Sequence, residues 1–197
     1  MRTITELDKL AVQAGVDVVR QIAEADLLRP TPCEGWNLRD LLDHMTVQHN
    51  GFAAAARGSG GDLAVWRTGT DRVDPIGDYT AAADAVIAAF APDDILERAF
   101  TLPEISPTGS FPGSVAIGFH LVDYVVHGWD VAATLGLAYE PAPEVTAAAM
   151  RVAELVPNGP ERLVTGAAFA PALTTPDAEA PLHRVLRLLG RSPDWTA

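Results

Sequence analysis

Cys33 is the only cysteine in this 197-residue chain. That excludes an internal disulfide framework and a zinc cage built from thiolates, and makes the cytoplasm the expected compartment. Basic residues are scarce as well: 14 Lys and Arg stand against 26 Asp and Glu, a formal net charge of −12 at pH 7. With no Lys/Arg cluster along any helix, nucleic acid and anionic membrane surfaces are disfavoured as partners. No run of about 18 apolar residues occurs, so no transmembrane helix is expected. The first fifteen residues meet acidic side chains within their first turns and lack the apolar core of a signal peptide. Internal repeats and low-complexity tracts are missing too.

What the chain does have is apolar material, 48% of its residues, enough to bury a full core in one domain with room for an appended subdomain. Leu7, Leu10, Ala11, Ala14, Val18, Ile22 and Ala25 recur at helical spacing and predict a first helix from about Thr5 to Leu27. A second should start at Asn37, which can cap the free amides while Asp40 favours the positive end of the dipole. Its buried face is Leu38, Leu41, Leu42, Met45 and Phe52, and it should end near Arg57 and Gly58. After a Gly-rich connection, Tyr79, Ala82, Ala83, Val86, Ile87 and Phe90 fit a third helix. Residues 91–113 read as an irregular crossover, with a short extended piece at Ala99–Leu102. A fourth helix follows from about Ser114 to Leu135, stopped by Gly136. Val145 to Val156 forms another, residues 160–181 read as a loop packed over the domain, and a last short helix is expected at Leu182–Leu189. Nothing requires a β-sheet, and long helices joined by two crossovers suggest a four-helix bundle with additions.

The fourth helix carries the chemistry. At about 100° per residue, His120, Asp123, Tyr124 and His127 fall on one stripe. Asp123 and His127 are four apart, about 6 Å along the axis, so both can reach a single cation. A hydrated face would normally hold Lys, Glu and Arg, yet none lies between Ser114 and Ala138. Two ligands from one helix leave a cation short of partners, so a third must come from elsewhere. His44 and His49 lie on the second helix and His183 at the start of the last. Periodicity puts His49 in the middle of the apolar stripe and His44 at its edge. His120, about 10 Å from His127 along the axis, is too far to share its ion and suits proton transfer, support of a ligand, or a structural hydrogen bond. Tyr124 can orient a ligand, donate to a substrate or simply pack. Trp36 and Trp129 read as packing anchors, Asp130 as a support for a ligand or a helix-end cap, and Cys33 as a small buried hydrophobe.

The run Thr31-Pro32-Cys33-Glu34-Gly35-Trp36-Asn37-Leu38-Arg39-Asp40-Leu41-Leu42-Asp43-His44, together with Asp123, His127, Gly128, Trp129 and Asp130, resembles the mycothiol-dependent maleylpyruvate isomerase family of the DinB-like metal-binding superfamily. The resemblance covers most of the chain, and the segment from Phe169 to Pro193 is similar to a largely uncharacterised actinobacterial subgroup. It implies an all-α, DinB-like four-helix bundle over residues 1–140, with additional C-terminal helices over 141–197 packed on the same domain. It also implies one divalent metal ion, zinc first among the choices, on His44, Asp123 and His127, with mycothiol or another low-molecular-weight thiol as cofactor. The family isomerase has Glu where this chain has Asp123, and a larger C-terminal domain than the tail here.

Three protein ligands and a free position is the arrangement of a catalytic zinc site. The expected function is therefore a metal-dependent, thiol-dependent S-transferase or isomerase acting on a small electrophilic molecule, with His120 and Tyr124 as the candidate catalytic side chains. The competing expectation is a noncatalytic metal- or ligand-binding bundle. An exposed bundle face leaves room for a homodimer, which no motif marks.

Overall fold

Four long helices and two shorter ones dominate the computed structural model, which describes residues 2–69, 72–164 and 166–196. Helix α1 spans Ile4–Val19, α2 Leu38–Ala56, α3 Pro75–Ala89 and α4 Gly113–Leu135. The shorter α5 and α6 cover Pro143–Ala153 and Pro181–Leu188. In the bundle α1 lies mainly on α4 and α2 on α3; α5 packs on α4, and α6 on α5. The fold is all-α, as the spacing of apolar residues predicts. No described helix is long and apolar enough to cross a membrane.

Helix α2 begins where the sequence places it, because Asn37 and Asp40 form a reciprocal capping box. The Asp40 amide donates to Asn37 Oδ1 at 3.0 Å, and the Asn37 amide to Asp40 Oδ2 at 3.0 Å. Two donors of the first turn are thereby satisfied. Asn37→Ala is expected to cost about 1 kcal/mol, read as a lower midpoint of urea unfolding at unchanged slope. The helix buries Leu38, Leu41, Leu42 and Met45 completely. Each such side chain stabilises the fold by roughly 1.5–3 kcal/mol.

Helix α1 is shorter than its periodicity suggests. It stops at Val19, and the amides of Gln21 and Ile22 turn back to the carbonyls of Val18 and Val19. A short 3-10 turn at Glu24–Asp26 follows, fixed by Asp26 Oδ2 accepting from the Ala23 amide. Ile22 and Leu27 still reach the core, so the apolar spacing persists across a break in the helix. In the same way α5 ends at Ala153, ahead of Leu155, which is largely exposed.

The crossover ahead of α4 contains a small antiparallel ribbon, β1 at Ala99–Thr101 and β2 at Ser110–Pro112, paired through Phe100 and Phe111. The extended piece at 99–102 thus finds a partner strand that the sequence did not announce. This ribbon matters for the site because α4 has no side-chain cap. Its first amides, from Gly113 and Ser114, donate instead to the carbonyls of Arg98 and Leu96 at 2.8 and 3.0 Å. At the other end Gly136 takes φ 71°, a left-handed stop that residues with a side chain adopt only under strain.

Candidate metal centre

Helix α4 is apolar on nearly every side, so a polar side chain on it must be paired or must face an opening. Asp123 and His127 lie one turn apart on α4, and α2 brings His44 beside them. The donor atoms of these three residues lie within 4.8 Å of one another. Nε2 of His127 is 3.4 Å from Oδ1 of Asp123. Tetrahedral bonds of about 2.1 Å place neighbouring ligand atoms roughly 3.4 Å apart, so the pair already has the spacing of two ligands on one ion. The His44 and His127 rings meet edge to face with centroids 5.1 Å apart.

Nδ1 of His127 donates to Oδ2 of Asp130 at 2.9 Å. That bond fixes the ring and leaves Nε2 as the nitrogen aimed at Asp123, the carboxylate–histidine arrangement that orients metal ligands. Burial, and then the neighbouring charge of His127, push His44 down to about 4, which keeps it neutral and free to donate a lone pair near pH 7. Burial alone would raise Asp123, but His127 outweighs it and brings the carboxyl to about 2. Burial likewise opposes charge on His127, yet Asp123 and the bonds to Asp123, Asp130 and Cys33 raise it well above the usual imidazole range. The place between Asp123 and Nε2 therefore attracts positive charge, and a metal ion held there would compete with a proton.

The cluster opens on its carboxylate side. Asp123 keeps 24% of its side chain exposed against 8% for His127. Trp36, expected as a packing anchor, is 37% exposed, with its ring 4.9 Å from that of His44.

Behind His127 lies a buried polar knot. Nε of Arg191 donates to both oxygens of Asp130 at 3.0 and 3.3 Å. Its Nη2 donates to Sγ of Cys33 at 3.2 Å, and the Cys33 thiol donates to Asp130 Oδ2 at 3.2 Å. Cys33 is buried as expected, but among charged partners, and its sulfur is 4.0 Å from His127 Nδ1. Cys33, His127 and Asp130 also hold donor atoms within 4.8 Å of one another. The guanidinium of Arg191 already supplies the cation on that side. Sequence reading missed Arg191: it lies 61 residues from Asp130, beyond the last helix, in no pattern that signals burial.

His120 and Tyr124 are not brought to this cluster. Both are fully buried inside the bundle, and neither reaches the opening. His120 Nδ1 pairs with Asp8 Oδ1 at 2.7 Å and its Nε2 with His49 Nδ1 at 3.1 Å. The Tyr124 hydroxyl donates to the Met45 carbonyl, and its ring stacks on His49 at 3.8 Å. His183, on α6, pairs with Glu179 at 3.3 Å.

Fold and site together define a class: helical bundles that gather two histidines and a carboxylate from neighbouring helices beside an open face. The family model described as the mycothiol maleylpyruvate isomerase N-terminal domain matches residues 9–132. The chain belongs to that family. An uncharacterized protein of Mycobacterium tuberculosis, present in strains CDC 1551 / Oshkosh and ATCC 25618 / H37Rv, is 28% identical over 170 residues, spanning 83% of this chain and 84% of the relative. Among solved structures, the mycothiol-dependent maleylpyruvate isomerase superposes with a TM-score of 0.55 at 14% identity. A single-residue mutant of that isomerase gives 0.57 at 10% identity. Each match covers 78% of this chain and 70% of the other. At such identities the likeness shows the fold alone, which is the DinB-like bundle.

Proposed function

We propose that this protein holds one divalent metal ion, zinc first among the choices, on His44, Asp123 and His127. With it the protein acts as a low-molecular-weight-thiol-dependent S-transferase or isomerase on a small electrophilic molecule. The observation that carries the reading is the convergence of three donors from two helices, with the far nitrogen of His127 already engaged by Asp130. Two imidazoles and one carboxylate suit zinc and several other divalent ions. The thiol part rests on the family, whose description names mycothiol, and on the solved structures of matching fold, which are of a mycothiol-dependent maleylpyruvate isomerase.

A divalent ion in such a place supplies the charge that keeps a thiol in its thiolate form at neutral pH. The chain's own residues do the rest. His44 offers a neutral ring, Asp130 holds the His127 proton at Nδ1, and Asp123 brings negative charge to the open side. Trp36 offers a flat apolar wall against which an organic substrate can lie. His120 and Tyr124, too deep to touch a substrate, support the helices that carry the ligands.

The test is spectroscopic and chemical. Cobalt-loaded protein titrated with mycothiol should develop a near-ultraviolet sulfur-to-metal band, with glutathione and cysteine as comparisons. Zinc-loaded protein should consume a thiol and an electrophile in step, and lose that activity on chelation. Metal binding without a thiol band or turnover would put the noncatalytic binding protein in place of the enzyme.

A further inference from the structure

The Arg191 guanidinium lies at the end of a chain of contacts that leads to the metal cluster. It grips both oxygens of Asp130, and Asp130 Oδ2 in turn accepts from His127 Nδ1 at 2.9 Å. Every member is buried: Asp130 is 0% exposed, His127 6% and Arg191 8%.

The backbone holds Arg191 in register. Val185, Leu186 and Leu189 are fully buried, and after α6 the chain reverses at Gly190, where φ is 77°. The Arg191 amide then donates to the Leu186 carbonyl at 2.8 Å. This is the helix stop in which a left-handed glycine lets the next amide reach back.

From this geometry we infer that Arg191 is a positioning residue for the metal centre, through which the C-terminal segment sets the aim of His127. Without the guanidinium, Asp130 would be a buried carboxylate with only a thiol and an imidazole as partners, free to turn about its own side chain. The His127 ring would lose its fixed orientation with it. A planar, always-charged fork that donates to a carboxylate and a sulfur at once is a task for arginine, and lysine can meet only part of it. The inference rests on the reading of His44, Asp123 and His127 as metal ligands.

The experiment measures zinc affinity by chelator competition, and cobalt ligand-field spectra, for the full-length protein carrying Arg191→Met, Arg191→Lys, Asp130→Asn and the Arg191→Met/Asp130→Asn pair. All are made in a Cys33→Ala background, so that the vacated thiol offers no substitute ligand. Thermal unfolding of the metal-free proteins is recorded in parallel. Arg191→Met should weaken zinc binding by about 10- to 100-fold, the range seen when partners of metal-ligating residues are removed. Arg191→Lys should recover part of the loss, and the pair should lose less than the product of its two single effects. Unchanged affinity in Arg191→Met, or a fall in thermal stability with affinity and cobalt spectrum intact, would overturn the inference while leaving the metal centre standing. Absence of metal from the unsubstituted protein would overturn the centre and the inference together.

Discussion

His127→Ala is expected to lower affinity for a divalent ion by about 100- to 1,000-fold. His44→Ala should do nearly the same, leaving each purified variant with far less than one metal per chain. The size follows from the whole: about 10–16 kcal/mol binds zinc to a four-ligand site at neutral pH, so each ligand accounts for roughly 3–4 kcal/mol. His127 stands slightly above His44 in the ranking because its removal also takes from buried Asp130 one of its hydrogen bonds, the one of 2.9 Å from Nδ1. Asp123→Asn should weaken binding too, through loss of charge, whereas Asp123→Glu should retain the metal, since the longer arm still ends in a carboxylate at the open side. Elemental analysis of the untagged protein beside these variants, with circular dichroism to confirm folding, measures the effect. Full metal content in both His44→Ala and His127→Ala would remove the assignment.

The juxtaposition of Asp123 and His127 was legible in the sequence because one long helix carries both, whereas His44 came from the family resemblance. On α4 the pattern of apolar residues is dense enough that Asp123 and His127 stand out as polar groups without the usual company of Lys and Glu. The choice between His44 and His49 shows where pattern alone runs out. Helical periodicity marks His49 as the buried one, and it is fully buried. Yet a site must open to solvent, and the partly buried edge position, His44, is the one beside Asp123 and His127. Trp36, beside His44, was read as a packing anchor for the same reason: its type suggests burial and its surroundings decide otherwise. Arg191 and the partner strand Ser110–Pro112 left no local mark at all. The first acquires its meaning only when the tail folds back to Asp130, and the second only when Ala99–Thr101 lies alongside it. The break after Val19 was hidden because Ile22 and Leu27 keep contact with the core through a turn, preserving the spacing that a continuous helix would give.

Asp8→Ala is expected to destabilise the folded protein by about 3 kcal/mol or more, without touching His44, Asp123 or His127. Asp8 and His120 are 1% and 0% exposed and 2.7 Å apart, joining α1 to α4, and His120 passes the network on to His49 of α2. The pair is enclosed by aromatic rings: Phe52 and Phe90 stand edge-on to His120, with centroids at 5.0 and 5.2 Å. Burial raises the carboxyl of Asp8, and the attraction of His120 works against it. Removing the carboxyl leaves Nδ1 of His120 unpaired in an apolar space and opens a cavity, and both costs are paid by the folded state. Asp8→Asn should cost less, because the amide oxygen still accepts from Nδ1. His120→Leu should cost about as much as Asp8→Ala, since it orphans Asp8 and His49 Nδ1 together. The double variant should fall well short of the sum, because once one partner is gone the other has little left to lose. Urea unfolding of the four proteins tests this: a loss below about 1 kcal/mol in Asp8→Ala, or strict additivity in the pair, would mean that the network does not hold α1, α2 and α4 together.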